Sequence, residues 1–179
     1  MVLTVSGLPG SGTTTIARAA ADRLDLEHLD GGTVFRAMAA ERGVSLADFA
    51  QIAERDDAID RQLDDRLTER ARGGGVLLES RLAGWLVTRA HIPGVRVWVH
   101  CEEHERARRV GKRDGLGSGP ALEENRVREA SERARYISYY GIDLADTSIY
   151  DLVLDSTQLG IQELVEQVIG AARSGSPGG

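Results

Sequence analysis

A glycine-rich segment near the amino terminus, GLPGSGTTT from Gly7 to Thr15, constrains the fold more than any other stretch of the chain. A short β-favouring run, VLTV, precedes it, and apolar residues recur at helical spacing from Thr13 to about Leu24. A strand, a glycine loop and a helix in this order are the context in which the pattern G-x-x-x-x-G-K-[ST] binds phosphate. The sequence therefore predicts a phosphate-binding loop where the first strand ends.

The loop departs from that pattern at one side chain. Both glycines are present and Thr14 supplies the hydroxyl that binds magnesium, but Thr13 occupies the position of the lysine. Backbone N–H groups and a helix amino terminus bind phosphate without side-chain charge, so we still expect nucleotide binding. Loss of the ammonium costs on the order of 10²–10³ in rate unless another cation replaces it. The predicted phosphate contacts are Gly7, Pro9, Gly10, Ser11, Gly12, Thr13, Thr14 and Thr15.

Uninterrupted apolar runs separated by helical segments predict an α/β fold whose parallel sheet is covered on both faces. Besides the first run, the predicted strands are Glu27–Leu29, Val76–Leu78, Val95–Cys101 and Leu152–Ser156. A helix is predicted from about Thr33, and residues 45–72 read as helical. In that stretch Ile59, Leu63 and Leu67 form an apolar stripe, and the charged residues between them are expected to be solvated. A long charged helix is predicted from about Ala121 to Tyr140.

Length and composition restrict the class of protein. With 179 residues the chain fits one domain, which we place at 1–172, with a disordered tail at 173–179. A net charge of −6 argues against a nucleic-acid partner, and the single cysteine excludes an internal disulfide. No apolar run reaches the ~20 residues of a membrane span, and the start does not resemble a signal peptide. We therefore expect no membrane association and a cytoplasmic location.

A basic segment, EEHERARRVGKRDG, stands out in this acidic chain. Arg106, Arg109 and Arg113 recur at a spacing that places them on one face of a helix. Charge runs are usually solvated faces, but this one leads into the glycine-rich loop GLGSGP, and the two together are predicted to form a mobile lid at about 106–121. Lys112 is the only lysine of the chain, and it is our candidate replacement for the missing ammonium.

Two further segments place charges directly after predicted strands, LDGGTVFR and LLESRLAGW. The first offers Asp30 with Arg36, and the second offers Glu79 with Arg81. Ligands of α/β sheets bind beyond the carboxyl ends of the strands, and arginine binds phosphate with two parallel hydrogen bonds. Ordinary surface ion pairs are the alternative reading. The three tyrosines of ARYISYY are equally compatible with core packing and with ligand contact.

Five segments in this order resemble the archaeal-type cytidylate kinases: VSGLPGSG, LDGGTVFR, LLESRLAGW, the R-x-x-R-x-x-x-R pattern and RYISYYGIDLADTSIYDLVLD. The resemblance covers nearly all of residues 1–170. It implies a nucleoside monophosphate kinase fold with a phosphate-binding loop, a five-stranded parallel sheet flanked by helices, and an arginine-rich lid. It also implies that ATP, with Mg²⁺, phosphorylates CMP, dCMP or a close analogue. The acceptor-binding helical region would be about 31–72.

The resemblance also implies roles for individual residues, among them Thr14 as the residue that binds Mg²⁺. Phosphoryl transfer requires no general base here, and our own expectation is that Asp30 or Glu79 orients the acceptor. By the resemblance, the phosphate-contacting residues would be Arg106, Arg109, Arg113 and Arg135, and the acceptor site would contain Asp30, Arg36 and Arg81, with Asp143 and Asp146 in the terminal motif. To these we add, from the residues themselves, Lys112 as a catalytic cation and Glu79 as an acceptor-site carboxylate. Similar enzymes are commonly monomeric. Because Thr13 departs from the family, two alternatives remain open here: a nucleotide-binding module without catalysis, and a kinase for a different small acceptor.

Overall fold

The computed structural model describes residues 1–175, apart from the side chain of Ala47. Five strands form one parallel sheet in the order β2-β3-β1-β4-β5. The strands are β1 Val2–Gly7, β2 Glu27–Asp30, β3 Val76–Glu79, β4 Val95–His100 and β5 Leu152–Asp155. The helices are α1 Thr13–Leu24, α2 Gly31–Glu41, α3 Leu46–Ala53, α4 Asp57–Arg72, α5 Ala83–Arg89, α6 Glu103–Asp114, α7 Ser118–Tyr140 and α8 Ile161–Ser174. The predicted five-stranded α/β fold is confirmed.

Apolar layers on both faces of the sheet explain why its inner strands lack alternation. On one face, α1 and α8 bury Ile16, Ala20, Leu164 and Val168 against the sheet. On the other face, α4 and α5 contribute Leu67, Ala71, Ala83 and Val87 to a second cluster with β3. Every residue of β1 and β3 is consequently buried. This packing fixes the carboxyl end of β1, from which the glycine loop emerges.

The helical region between β2 and β3 differs from the predicted one. Helix α2 begins at Gly31 rather than near Thr33, because the Asp30 carboxylate caps its first turn. Residues 45–72 form two helices, and Asp56 caps the second. The prediction that the charged residues of α4 are solvated is wrong for Asp60 and Asp64, which are buried.

The predicted lid is mostly helical. Helix α7 begins at Ser118, three residues before the predicted start, so only Gly115, Leu116 and Gly117 separate α6 from α7. Helix α8 continues to Ser174, inside the predicted tail 173–179, and residues 176–179 lie outside the described range. Among residues 1–175, no helix has the length and apolar character needed to cross a membrane.

Candidate active site

The glycine loop runs from Leu8 to Gly12, between β1 and α1. Gly10 and Gly12 have φ angles of 84° and 89°, a left-handed conformation that favours glycine. A Cβ atom on Gly10 would lie 2.6 Å from the carbonyl oxygen of Arg106. The loop therefore keeps its shape only with glycine at these positions, and α1 begins directly behind it at Thr13.

One buried carboxylate organises the start of α1. Glu79, at the end of β3, is 5% exposed and accepts hydrogen bonds from two hydroxyls. Thr13 Oγ1 donates to Glu79 Oε1 at 2.9 Å, and Thr14 Oγ1 donates to the same oxygen at 2.6 Å. His28 Nε2 lies 2.9 Å from the other oxygen, Oε2. The residue in the lysine position is thus part of a hydroxyl–carboxylate cluster. Sequence reasoning missed His28, whose only signal is its place in the strand beside β3.

Arg81 joins the loop to α7. Its Nη1 donates to the carbonyl oxygen of Gly7 at 2.9 Å, and its Nε donates to Glu132 Oε2 at 3.1 Å. Burial acts to raise the pKa of the Glu132 carboxyl, but the guanidinium groups of Arg81 and Arg128 outweigh it and lower that pKa. Glu132 is therefore charged and holds Arg81 in place. The sequence places Arg81 in the acceptor site, and the structure adds its contact with Gly7 in the loop.

Asp30 and Arg36 lie at the neighbouring strand end. The Asp30 carboxylate accepts from the N–H groups of Gly32 and Thr33, at 3.0 Å each. Burial acts to raise the Asp30 pKa, yet the Thr33 hydroxyl and these two N–H groups lower it overall. Arg36 is exposed, with its Nη2 3.3 Å from Asp30 Oδ2 and 2.8 Å from the Thr33 hydroxyl. Asp30 pairs with Glu79 in the strand register, so this arginine lies near the hydroxyl–carboxylate cluster.

Helix α6 packs against the loop through two of its arginines. Arg106 is 4% exposed and donates to the carbonyl oxygens of Cys101 and Pro9 and to the Glu129 carboxylate. Arg109 donates to the carbonyl oxygen of Ser156 at 2.6 Å, and its Nη1 lies 3.7 Å from the place of a Cβ on Gly12. A guanidinium therefore stands beside the loop at the start of α1.

The remaining predicted site residues lie apart from these contacts. Arg113 is exposed and pairs with Asp114, while Asp143 accepts from Arg133 and caps a turn. Lys112 is exposed, and within residues 1–175 it makes no hydrogen bond or ion pair. In the described part of the chain, no hydrogen bond or ion pair links these three predicted residues to the loop.

Arg135 belongs to a polar cluster between α4 and α7. Its Nε lies 3.4 Å from Asp60 Oδ2, an ion pair without hydrogen-bond geometry. Asp64, one turn along α4, and Tyr140 complete this α4–α7 cluster. Burial raises the pKa of Asp64 to about 7, although the Tyr140 hydroxyl acts in the opposite direction. Asp60 and Asp64 were missed, but their signal is the spacing of 60, 64, 67 and 71, which places them on the buried stripe of α4.

Known proteins are similar to this chain in sequence. Residues 2–158 match the cytidylate kinase-like family. The cytidylate kinase of Methanocaldococcus jannaschii is 42% identical over 163 residues, which span 90% of this chain and 92% of that protein. The cytidylate kinase of Haloquadratum walsbyi is 44% identical over 183 residues, with 100% and 94% covered.

The fold is also found in distant kinases. The crystal structure of shikimate kinase from Aquifex aeolicus covers all of this chain with a TM-score of 0.61 at 16% identity, and all of that chain is matched. At that identity the likeness concerns the fold alone. The family match and the similarity to the curated relatives lead to one conclusion: this chain is a member of the cytidylate kinase-like family.

Proposed function

We propose that this chain transfers the γ-phosphoryl group of ATP to CMP or dCMP. The observation that supports this most is the convergence of the glycine loop, Thr14, Glu79 and Arg81 at the carboxyl ends of β1 and β3. Relatives that are 42–44% identical are named cytidylate kinases. An oxygen of the acceptor phosphate forms the new bond to the γ-phosphorus, and the bond between that phosphorus and ADP breaks.

On the donor side, the loop N–H groups and the amino terminus of α1 bind the phosphates of ATP. The Thr14 hydroxyl and the Glu79 carboxylate, 2.6 Å apart, are the hard oxygen donors that Mg²⁺ prefers, so these residues fit the ion. When bound, Mg²⁺ neutralises charge on the β- and γ-phosphates. Thr14 is the residue that we propose as its protein ligand.

On the acceptor side, Arg81 and Arg36 bind the phosphate of the nucleoside monophosphate. Arg81 is held by Glu132 and Gly7, and its side chain is 20% exposed, so its orientation is fixed before the substrate arrives. Arg36 is exposed and free to turn toward the same phosphate. Alignment of the two phosphates and neutralisation of their charge are the main requirements of phosphoryl transfer.

Two cations are candidates for the role of the missing lysine. Lys112 is the candidate that the sequence suggests, and it would approach the phosphates when α6 and the start of α7 close over the site. Arg109 is the candidate that the geometry adds, since its guanidinium already stands beside Gly12. Both lie on α6, one turn apart, and single substitutions separate them.

The proposal is tested by following ADP formation with CMP, dCMP and UMP as acceptors and with ATP and GTP as donors. We expect turnover with ATP and CMP or dCMP. ATP binding by calorimetry without turnover on any of these acceptors would contradict the proposal and identify a nucleotide-binding module. We further propose that the protein is cytoplasmic, has one domain at 1–172 and has no nucleic-acid partner. We also propose that it is a monomer, which light scattering after gel filtration tests by measuring the molar mass.

A further inference from the structure

His28 lies in the edge strand β2, on the face of the sheet that α1 covers. In the register of the two parallel strands it pairs with Leu77, two positions before Glu79. Successive side chains of a strand point to opposite faces, so His28 and Glu79 share one face, and Leu77 packs there against α1. The His28 side chain is 16% exposed, and its Nε2 atom lies 2.9 Å from Glu79 Oε2. A largely buried histidine thus contacts the carboxylate that organises the start of α1.

Glu79 is held at both of its carboxylate oxygens. An ionised carboxylate only accepts hydrogen bonds, so the hydrogen of the contact with His28 belongs to the ring nitrogen Nε2. The hydroxyls of Thr13 and Thr14 donate to the other oxygen, Oε1. Rotation of the carboxylate would therefore break contacts on two sides. Within residues 1–175, His28 is the side chain that donates to Oε2, and the two threonines are those that donate to Oε1.

The fixed carboxylate sets the orientation of the Thr14 hydroxyl. A hydroxyl has one hydrogen and two lone pairs. Thr14 gives its hydrogen to Glu79 Oε1 at 2.6 Å, which leaves its lone pairs for Mg²⁺. Side chains that stand behind a metal ligand orient it, and their loss typically costs about 10–100-fold in metal affinity or activity. Glu79 stands in that position behind Thr14, and His28 stands behind Glu79.

The departure at residue 13 gives these contacts more weight. A lysine in that position reaches the β- and γ-phosphates with its ammonium. Thr13 is neutral and buried, and it gives its hydroxyl hydrogen to Glu79. Residue 13 therefore adds a donor to Glu79 but no positive charge to the phosphates. Binding of the donor nucleotide consequently depends more on a correctly oriented Thr14.

We propose that His28 is a positioning residue for phosphoryl transfer. It donates to Glu79 and so holds the carboxylate in the orientation in which Thr14 presents its lone pairs to Mg²⁺. This inference rests on the proposed function, because it takes ATP with Mg²⁺ as the phosphoryl donor. It adds to that function a residue of β2 that acts through two other side chains.

The test compares two substitutions of His28 with a matched control. His28→Leu removes the ring N–H but keeps an apolar side chain, whereas His28→Gln keeps an N–H donor at a similar reach. His100→Leu is the control, because His100 also ends a strand but is half exposed, with its Nε2 atom 3.8 Å from Glu102 Oε1. ATP binding is measured by calorimetry with Mg²⁺ and with EDTA, and kcat and KM are measured over a range of Mg²⁺ concentrations.

The expected result is a loss that depends on Mg²⁺. We expect His28→Leu to lower kcat and to raise the Mg²⁺ concentration for half-maximal activity, each by about tenfold. ATP affinity should fall severalfold with Mg²⁺ and should not change with EDTA, and KM for CMP should not change. His28→Gln should recover most of both losses, and His100→Leu should resemble the wild type.

Each other result has a defined meaning. An unchanged Mg²⁺ dependence and ATP affinity in a folded His28→Leu variant overturn the positioning role, as does an equal loss of ATP affinity with EDTA or an equal loss in His28→Gln. If His28→Leu does not fold, His28→Gln is compared with His28→Asn, whose amide is one carbon shorter; equal Mg²⁺ dependence in these two overturns the role as well. A wild-type chain that binds ATP but does not phosphorylate CMP overturns the proposed function alone, and the calorimetric comparison then decides the role of His28.

Discussion

The two sides of the site are built in opposite ways. Around the glycine loop, the charged groups Glu79, Arg81, Arg106 and Arg109 all have hydrogen-bond partners within the protein. In the α4–α7 cluster, the buried Asp60 carboxylate faces Arg135 Nε at 3.4 Å without hydrogen-bond geometry, and burial raises the pKa of Asp64. The difference teaches that the fold satisfies the charges around the glycine loop with good geometry, whereas between α4 and α7 it buries carboxylates with weaker compensation.

The largest expected effect concerns Asp64 in the α4–α7 cluster. The Asp64 carboxyl has a pKa of about 7 when folded and 3.8 when unfolded, so the unfolded chain ionises first as pH rises. Stability contributed by this group is therefore lost between about pH 4 and pH 7, by up to about 4 kcal/mol. Asp64→Asn should remove that loss in urea unfolding curves, while Asp65→Asn should keep it. A wild-type profile that does not fall across this range would contradict the comparison.

The next effect concerns the two threonines at the start of α1 that contact Glu79. Thr14→Val and Thr13→Val each remove one hydroxyl that donates to Glu79 Oε1, with little change in shape. Only Thr14 is proposed as a Mg²⁺ ligand, so we expect its substitution to lower kcat by on the order of 10²–10³. Thr13→Val should lower kcat by less than about tenfold. Equal losses, measured over a range of Mg²⁺ concentrations, would show that the Glu79 contacts matter and the ligand role does not.

A third test asks which cation near the glycine loop replaces the missing lysine. We expect Arg109→Met to lower kcat by about 10², because its guanidinium stands beside Gly12 and takes part in charge stabilisation. Lys112→Met should lower kcat less. Steady-state kinetics at saturating ATP and CMP decide between them, and a larger loss in Lys112→Met would identify Lys112 as the cation, as the sequence suggested.

The smallest effect separates a buried pair from an exposed one. Arg81 and Arg128 both pair with Glu132, but their side chains are 20% and 60% exposed. Arg128→Met should change the free energy of unfolding by less than about 1 kcal/mol. Arg81→Met also leaves the Gly7 carbonyl without its donor and should cost about 2 kcal/mol. Denaturant unfolding measures the free energy of unfolding of both variants. Equal losses would mean that the contact of Arg81 with Gly7 does not stabilise the region around the glycine loop.

The strands and the glycine loop could be predicted from the sequence because their signals are local. A run of apolar residues buried on both faces, or a glycine forced to a positive φ, leaves a mark within a few positions of the chain. The positions of Asp30, Glu79 and Arg81 followed from the same logic, since Asp30 and Glu79 end their strands and Arg81 lies two residues beyond β3. The start of α7 was placed late because the glycines of GLGSGP suggest a loop, although Pro120 is tolerated in a first helical turn.

The charged helices are where the tertiary structure decided the outcome. From sequence, α4 and α6 both read as charged faces, and nothing local separates the buried Asp60, Asp64 and Arg106 from the exposed Asp65 and Arg113. Their burial depends on which helix packs opposite, and the partners come from α7 and from the glycine loop, far away in the chain. The sequence by itself determined a parallel sheet with a glycine loop after its first strand. Only the packing of α4, α6 and α7 determined which charges are buried and which face water, because burial is a property of the neighbours that a side chain meets.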